Sequence, residues 1–404
     1  MNKILIPPAT IVAIAVVSLL INISSILVFT IMPEYLTITL GLTNTGLGIF
    51  EGIVEFLAMS SRVFAGIISD YINKRKPMLL VAYIITMITR PLFAISSSVY
   101  SFFIIRSFDR IANGIQATPR ESIVGDYSTD GKRGSAYGFR QSLGLAGSLI
   151  GAIIAQYLIS SSYSNYNDIF LLSVIPITAA IFILMFFVKD RKKNTSNTEI
   201  KEKATFKKFI KTASEMFQVK YNKYWLIILL ACVYMMGNYS GSFSILRSIE
   251  ITKDSSFGAF LMIFQNLGGF MAAYPLGAWA DKNYKVRNYL LGTGFAVSIL
   301  SNLLFFFATT KFMVLFASSM WGIQLGITQS LFSAKIADSV KMEQRGSAFG
   351  IYYLAIGLMI LIANTIFGHI KDNFLGGYEF LASSCFALVS IVILIVMHSR
   401  SKKF

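Results

Sequence analysis

Long apolar runs separated by short polar stretches set the rhythm of this chain, and that rhythm predicts helices that cross a membrane. Twelve runs are long enough to span a hydrocarbon core: 9–31, 45–69, 78–97, 100–123, 135–160, 169–188, 225–246, 257–280, 289–309, 313–336, 347–370 and 379–398. One polar stretch is long, from Lys189 to Tyr224. It opens as the charged linker Lys189-Asp190-Arg191-Lys192-Lys193. Beyond Thr205, Phe206, Phe209, Ile210, Ala213 and Phe217 then recur at helical spacing opposite Lys207, Lys208 and Lys211. That pattern predicts an amphipathic helix lying on the inner leaflet. The other loops are short and leave no room for a soluble catalytic domain. The expected fold is an all-α membrane protein with twelve transmembrane helices in two pseudo-symmetric six-helix bundles, 1–188 and 225–404, joined by the basic linker 189–224.

The halves repeat each other. Arg133-Gly134-Ser135-Ala136-Tyr137-Gly138 returns as Arg345-Gly346-Ser347-Ala348-Phe349-Gly350, at 345 − 133 = 212. Gly66 and Asp70 return as Gly277 and Asp281, at 281 − 70 = 211, and Asp126 returns as Asp338, at 338 − 126 = 212. One offset of about half the 404 residues means a duplicated block, an arrangement suited to a transporter that rocks one half against the other.

Composition changes the picture little. With 55% hydrophobic residues, the surface of a water-soluble fold could not be made polar enough. The net charge of +16 could point to nucleic acid, but its placement argues against that partner. Outside the spans, only Arg247, Lys253, Lys311 and Lys371 fall on one side; the remaining basic residues cluster on the other. By the positive-inside rule both termini are cytoplasmic, with anionic headgroups as a further attraction. The abundance of Ile, Asn and Lys suits an AT-rich bacterial genome, and hence a bacterial inner membrane. Cys232 and Cys385 lie in apolar runs, and His369 and His398 are too few and too far apart for zinc. No cofactor is expected.

The segment Gly66-Ile67-Ile68-Ser69-Asp70-Tyr71-Ile72-Asn73-Lys74-Arg75-Lys76 resembles the G-x-x-x-D-x-x-G-[RK]-[RK] loop of the major facilitator superfamily, with Asn73 in place of the usual glycine. Its second copy, Gly277 to Lys285, keeps Gly and Asp and loses the strict basic run. Asp109 to Glu121 is similar to a D-R-x-G-K-G-x-R-x-x-P-R-D segment of bacterial members, departing at Ala112, Asn113, Gln116 and Glu121. The resemblance implies alternating access with a conformational latch. Gly66, Asp70, Lys74 and Arg75 would form it with Gly277 and Asp281, Arg133 and Arg345 being the expected partners of the two loop acids. Asp126 and Asp338 share in these networks.

What the repeat does not copy is as informative. Glu51 and Glu55 stand one turn apart on the second span, and at the 211 offset they become Met262 and Asn266. Arg106, Asp109 and Arg110 share a face of the fourth span, and Arg110 becomes Gly322. Arg62, Arg90, Arg120 and Arg140 are further first-half charges at membrane depth, against Lys335 alone in the second half. An ionised side chain at that depth costs at least ~2.5–3.5 kcal/mol, so these residues need partners or a watery cavity. A permanent ion-pair network would satisfy them. So would a site in which Glu51, Glu55 or Asp109 takes a proton and Arg106, Arg110 or Arg140 grips an anionic group. In the family, the seventh and tenth spans line the cavity; here they carry Tyr234, Asn238 and Tyr239, and Trp321 and Gln324, with Asn22 added from the first span.

The expected function is secondary, proton-driven transport of a small charged or zwitterionic solute, such as an amino acid, organic acid or siderophore-like carboxylate, by a monomer in the bilayer. Proton-antiport efflux of drugs or metabolites and solute sensing through the 189–224 segment are the alternatives. An enzyme would need a nucleophile–base pair or metal cluster at membrane depth, which the sequence does not offer.

Overall fold

A computed structural model describes residues 8–72, 74–128, 133–160, 165–190, 214–215, 221–282, 286–341 and 344–401. Among these, α1 (Ala9–Glu34) runs on as a π-turn over Tyr35–Thr39, followed by α2 (Asn44–Ile72), α3 (Lys76–Ile95), α4 (Val99–Tyr127) and α5 (Arg133–Ser160). The first half closes with α6 (Tyr166–Leu172) and α7 (Val174–Phe187). The second half comprises α8 (Asn222–Met235), α9 (Gly241–Thr252), α10 (Phe257–Lys282), α11 (Val286–Phe307), α12 (Lys311–Ser339), α13 (Arg345–Asn373) and α14 (Tyr378–Ser401). No strand occurs among the described residues. Of the amphipathic helix expected after Thr205, only Ser214 and Glu215, both helical, fall within the described residues.

Two spans expected to be continuous are broken. Pro176 has no N–H to offer the carbonyl four residues back, and the sixth span divides at Ser173, whose carbonyl accepts from Ser24 Oγ at 2.8 Å. The seventh span, expected over 225–246, stops at Met235 and restarts at Gly241. Ser240 caps the restart, its hydroxyl accepting from the Ser242 N–H at 3.3 Å.

Among the described residues, seven helical runs are apolar and long enough on their own to cross a membrane: 9–39, 76–95, 136–160, 166–187, 286–307, 345–373 and 378–399. At 29 residues each, α2 and α4 are longer than most, yet fall outside that set because they carry the buried charges. They can do so because their polar faces turn inward. Ile95, Phe186, Phe312 and Ile395 point outward instead, where lipid would cover them.

The two halves pack alike. In the first, α1 lies on α5, α4 on α2 and α3, and α3 on α6 and α7. In the second, α13 lies on α8, α12 on α10 and α11, and α11 on α14. Between the halves, α2 meets α13, α5 meets α10 and α1 meets α9. The α2–α13 seam is very close: a Cβ on Gly48 would lie 2.1 Å from the Asn364 carbonyl oxygen, and one on Gly368 would lie 2.3 Å from that of Asn44. Glycine is required at both places. The Gly144, Gly147 and Gly151 series on α5 faces Asn22, Leu19 and Ile23 of α1, within the same half.

At the end of the bundle away from the 189–224 linker, Asp372 closes the seam. Its carboxylate accepts from the backbone N–H groups of Asn44 (3.0 Å) and Thr45 (2.7 Å), and from their side chains at 2.8 and 2.6 Å. One half thus caps the first turn of a helix in the other.

At membrane depth the sequence offers Lys335 alone in the second half, and it says nothing of charges buried at the helix ends. The structure adds two such charges. Glu379 is wholly buried and Lys371 nearly so, 3.4 Å apart, and Lys371 also bonds Glu250. Lys371 has the look of a loop charge and Glu379 opens the last apolar run, but the tight turn at Gly376 and Gly377, both at positive φ, folds the start of α14 back onto α13.

Candidate functional site

A cavity of about 360 Å³ lies between the halves. From α2 it takes Glu51, Glu55, Met59 and Arg62, a stripe at helical spacing; from α4, Arg106 and Arg110. The facing wall is neutral. Asn238, Tyr239 and Ser240 come from the break between α8 and α9, Trp321, Leu325, Gln329 and Ser333 from α12, and Tyr352, Tyr353, Ile356, Ile360 and Asn364 from α13. A larger hollow of about 450 Å³, among Thr37, Asn44, Leu246, Glu250 and Lys253, is a surface recess at the helix ends and encloses none of the first-half charges.

The charges are arranged in two layers. Facing the cavity, Arg110 bonds Glu55. Behind it, Asp109 bridges two guanidiniums, accepting from Arg106 Nη1 at 2.8 Å and lying 3.3 Å from Arg90 Nη2. Arg90 is wholly buried, and its Nε donates to Ser24 Oγ at 3.0 Å. All of this is copied into neutral groups in the second half: at the 212 offset Arg90, Arg106 and Asp109 become Asn302, Ser318 and Trp321. Arg106 belongs to both layers, since it lines the cavity and pairs with Asp109, whereas Arg90 and Asp109 stand behind the wall.

Glu51 differs from the other acids. Its Oε1 accepts from Ser242 Oγ at 2.8 Å, a bond between the halves at the first turn of α9. The helix break that creates this turn is anchored by Asn364, whose Oδ1 accepts from the Ser240 N–H at 2.7 Å. A carboxylate facing a helix start on the opposite half can respond to both a proton and the relative position of the halves.

The sequence-derived candidates therefore divide. Glu51, Glu55, Arg106, Arg110, Asn238, Tyr239 and Trp321 line the cavity, and Asp109 stands behind it. The others have their own partners within their half. Asn22 Nδ2 donates to the Gly144 carbonyl at 2.8 Å, Tyr234 donates to Gln324, and Arg140 pairs with Glu121 at 2.8 Å. Sequence reasoning passed over Tyr352, Tyr353 and Asn364, the α13 wall. A signal existed: Tyr352 stands where the repeat would place Arg140, since 352 − 140 = 212.

In the loop region, Arg75 bonds Asp126 and also donates to the Ser122 carbonyl at 2.7 Å. The repeat preserves this pair, because Arg287 bonds Asp338 and 287 − 75 = 212. Arg345 instead donates through Nε to the Ala337 carbonyl at 3.1 Å. Gly66 packs beside Thr118, and Lys74 is exposed. The side chains of Asp70, Arg133 and Asp281, and the surroundings of Gly277, lie outside the described residues.

Comparison with known proteins places these observations. The profile of the Major Facilitator Superfamily matches residues 14–364 and 249–403. An uncharacterised transporter of that type from Methanocaldococcus jannaschii is 25% identical over 384 residues, 94% of this chain and 92% of that one. Among solved structures, a POT family transporter in complex with 5-aminolevulinic acid superposes with a TM-score of 0.81 at 14% identity, covering 98% of this chain and 96% of the other. A D-xylose-proton symporter superposes with a TM-score of 0.75 at 11% identity, covering 96% of each chain.

Proposed function

We propose, from the premise that this chain belongs to the Major Facilitator Superfamily, that it is a secondary transporter of a small anionic or zwitterionic solute, driven by protons that Glu51 and Glu55 take up. The observation that carries the reading is the two-sided cavity. Titratable acids and guanidiniums come from α2 and α4, and neutral hydrogen-bonding and aromatic groups come from the opposing half. Such a site orients a polar solute and neutralises its charge. Among the structural neighbours, the POT family protein holds 5-aminolevulinic acid and the xylose protein is a proton symporter. Both termini would lie in the cytoplasm of a bacterial cell, with the sealed Asp372 end facing outward. The Arg75–Asp126 and Arg287–Asp338 loops, together with Asp70 and Asp281, would then form the inner latch.

The mechanism follows from the Glu51 contact. Uptake of a proton removes the charge that Glu51 presents to the start of α9, while the solute engages the front guanidiniums. Together they change which arrangement of the halves is the more stable, and the cavity reopens on the other side. Proteoliposomes carrying a pH-sensitive dye test this with a panel of amino acids and organic acids. Solute-dependent proton entry is expected in the parent and its absence in Glu51→Gln; solute movement with no pH response in the parent would remove proton coupling.

The aromatic wall of Tyr239, Trp321, Tyr352 and Tyr353 favours a second reading, proton-antiport export of amphipathic compounds. In that case proton movement would run opposite to the solute, and lipophilic cations rather than carboxylates would elicit it.

A further inference from the structure

We infer that Arg62 is the residue that binds the anionic group of the cargo. The inference rests on the charged-solute reading above and narrows it to one side chain. Four guanidiniums stand in or behind the cavity wall, those of Arg62, Arg90, Arg106 and Arg110, against three carboxylates, those of Glu51, Glu55 and Asp109. Three of the four are committed: Arg110 to Glu55, and Arg90 and Arg106 to Asp109. Arg62 pairs with no carboxylate among the described residues, and its buried Nε has no hydrogen-bond partner. Arg62 is therefore the one guanidinium of the four without a salt bridge among the described residues.

The position of Arg62 suits a grip on a solute. It continues the Glu51–Glu55 stripe of α2 seven residues past Glu55, about 10 Å along the axis. Its guanidinium carbon lies 5.6 Å from the centre of the Tyr353 ring, across the interface between the halves. A cation over a ring in a partly desolvated wall is held only weakly compared with a carboxylate partner. A carboxylate or phosphate entering the cavity would displace this contact and take the bidentate face of the guanidinium. The planar fork matters here, which is why lysine is not its equivalent.

The test is thermal stabilisation of the purified full-length protein in detergent by propionate, benzoate and inorganic phosphate, each against chloride at matched ionic strength. The parent, Arg62→Gln, Arg62→Lys and Tyr353→Leu are compared, all first shown monodisperse with a cooperative melt. At least one of the three anions is expected to stabilise the parent. Its apparent affinity should fall about ten-fold or more in Arg62→Gln and by less in Arg62→Lys, while Tyr353→Leu keeps it. If an anion stabilises the parent and Arg62→Gln alike, Arg62 is not the anchor and the charged-solute reading survives. If none stabilises the parent, both fail.

Discussion

Removing the Asp372 carboxylate tests the packing between the halves most directly. That one group accepts four hydrogen bonds from Asn44 and Thr45, two of them from the backbone N–H groups that begin α2. Loss of a helix cap costs about 1 kcal/mol, and a carboxylate facing the positive end of a helix adds about 0.3–1 kcal/mol at an exposed site. Asp372 is exposed, so the side-chain bonds add little more once water competes for them. Asp372→Ala should thus weaken the sealed end by about 1.5–2 kcal/mol, multiplying the open fraction there by about 10–30. Spin labels at Thr43 and Leu375, introduced after Cys232 and Cys385 are replaced by serine, report the separation by pulsed EPR. The longer-distance population should grow by that factor in Asp372→Ala and by less in Asp372→Asn, which retains one acceptor oxygen. Identical distance distributions in the parent and in Asp372→Ala, with both proteins intact, would refute the idea that this carboxylate holds the halves together.

Three other outcomes follow from the same geometry. Gly48→Ala must push α2 and α13 apart, since its Cβ would meet the Asn364 carbonyl oxygen at 2.1 Å, whereas Gly138→Ala has nothing within 4 Å; only the first should shift the EPR distances. Arg90→Ala strips one partner from a buried ion-pair network and should destabilise the fold by about 3 kcal/mol or more, read as lost thermal stability without any solute present. Ser242→Ala removes the donor to Glu51 and should shift the balance between the two arrangements about five-fold. In a double-mutant cycle with Glu51→Gln the two effects should not add; additivity would mean that the residues act separately.

The fold was legible in the sequence because each apolar run is long and the repeat is nearly constant in offset. The site was legible to different depths. Charges at membrane depth betray themselves, so Glu51, Glu55, Arg106 and Arg110 could be picked out, and the turn spacing of α2 extends that stripe to Arg62. Neutral lining residues give no such sign: Tyr352 and Tyr353 read as ordinary packing in an apolar run. The break between α8 and α9 left a trace in Met236-Gly237-Asn238-Tyr239-Ser240, where a glycine precedes a capping serine. What sequence could not give is the register between the halves. Asp372 and Lys371 look alike in a list of loop charges, yet one caps a helix of the other half and the other is buried against Glu379. Only the packing of α13 separates them.

Among the described residues, the ion pairs at the two ends of the bundle differ. At the end near the linker, Arg75–Asp126 and Arg287–Asp338 each close within one half. At the opposite end, Asp372 reaches across, and Lys371 beside it ties the end of α13 to Glu250 on α9 and Glu379 on α14. The Asp372 contact of the second half thus stands beside a turn that is braced by Lys371. If the protein works by alternating access, Asp372 must let go of Asn44 and Thr45 in its other state. The free energies need only be a few kcal/mol at either end, because a switch of this kind depends on their difference. The positions proposed for solute and proton, Arg62 and Glu51, both lie between these ends on α2, the helix that Asp372 caps.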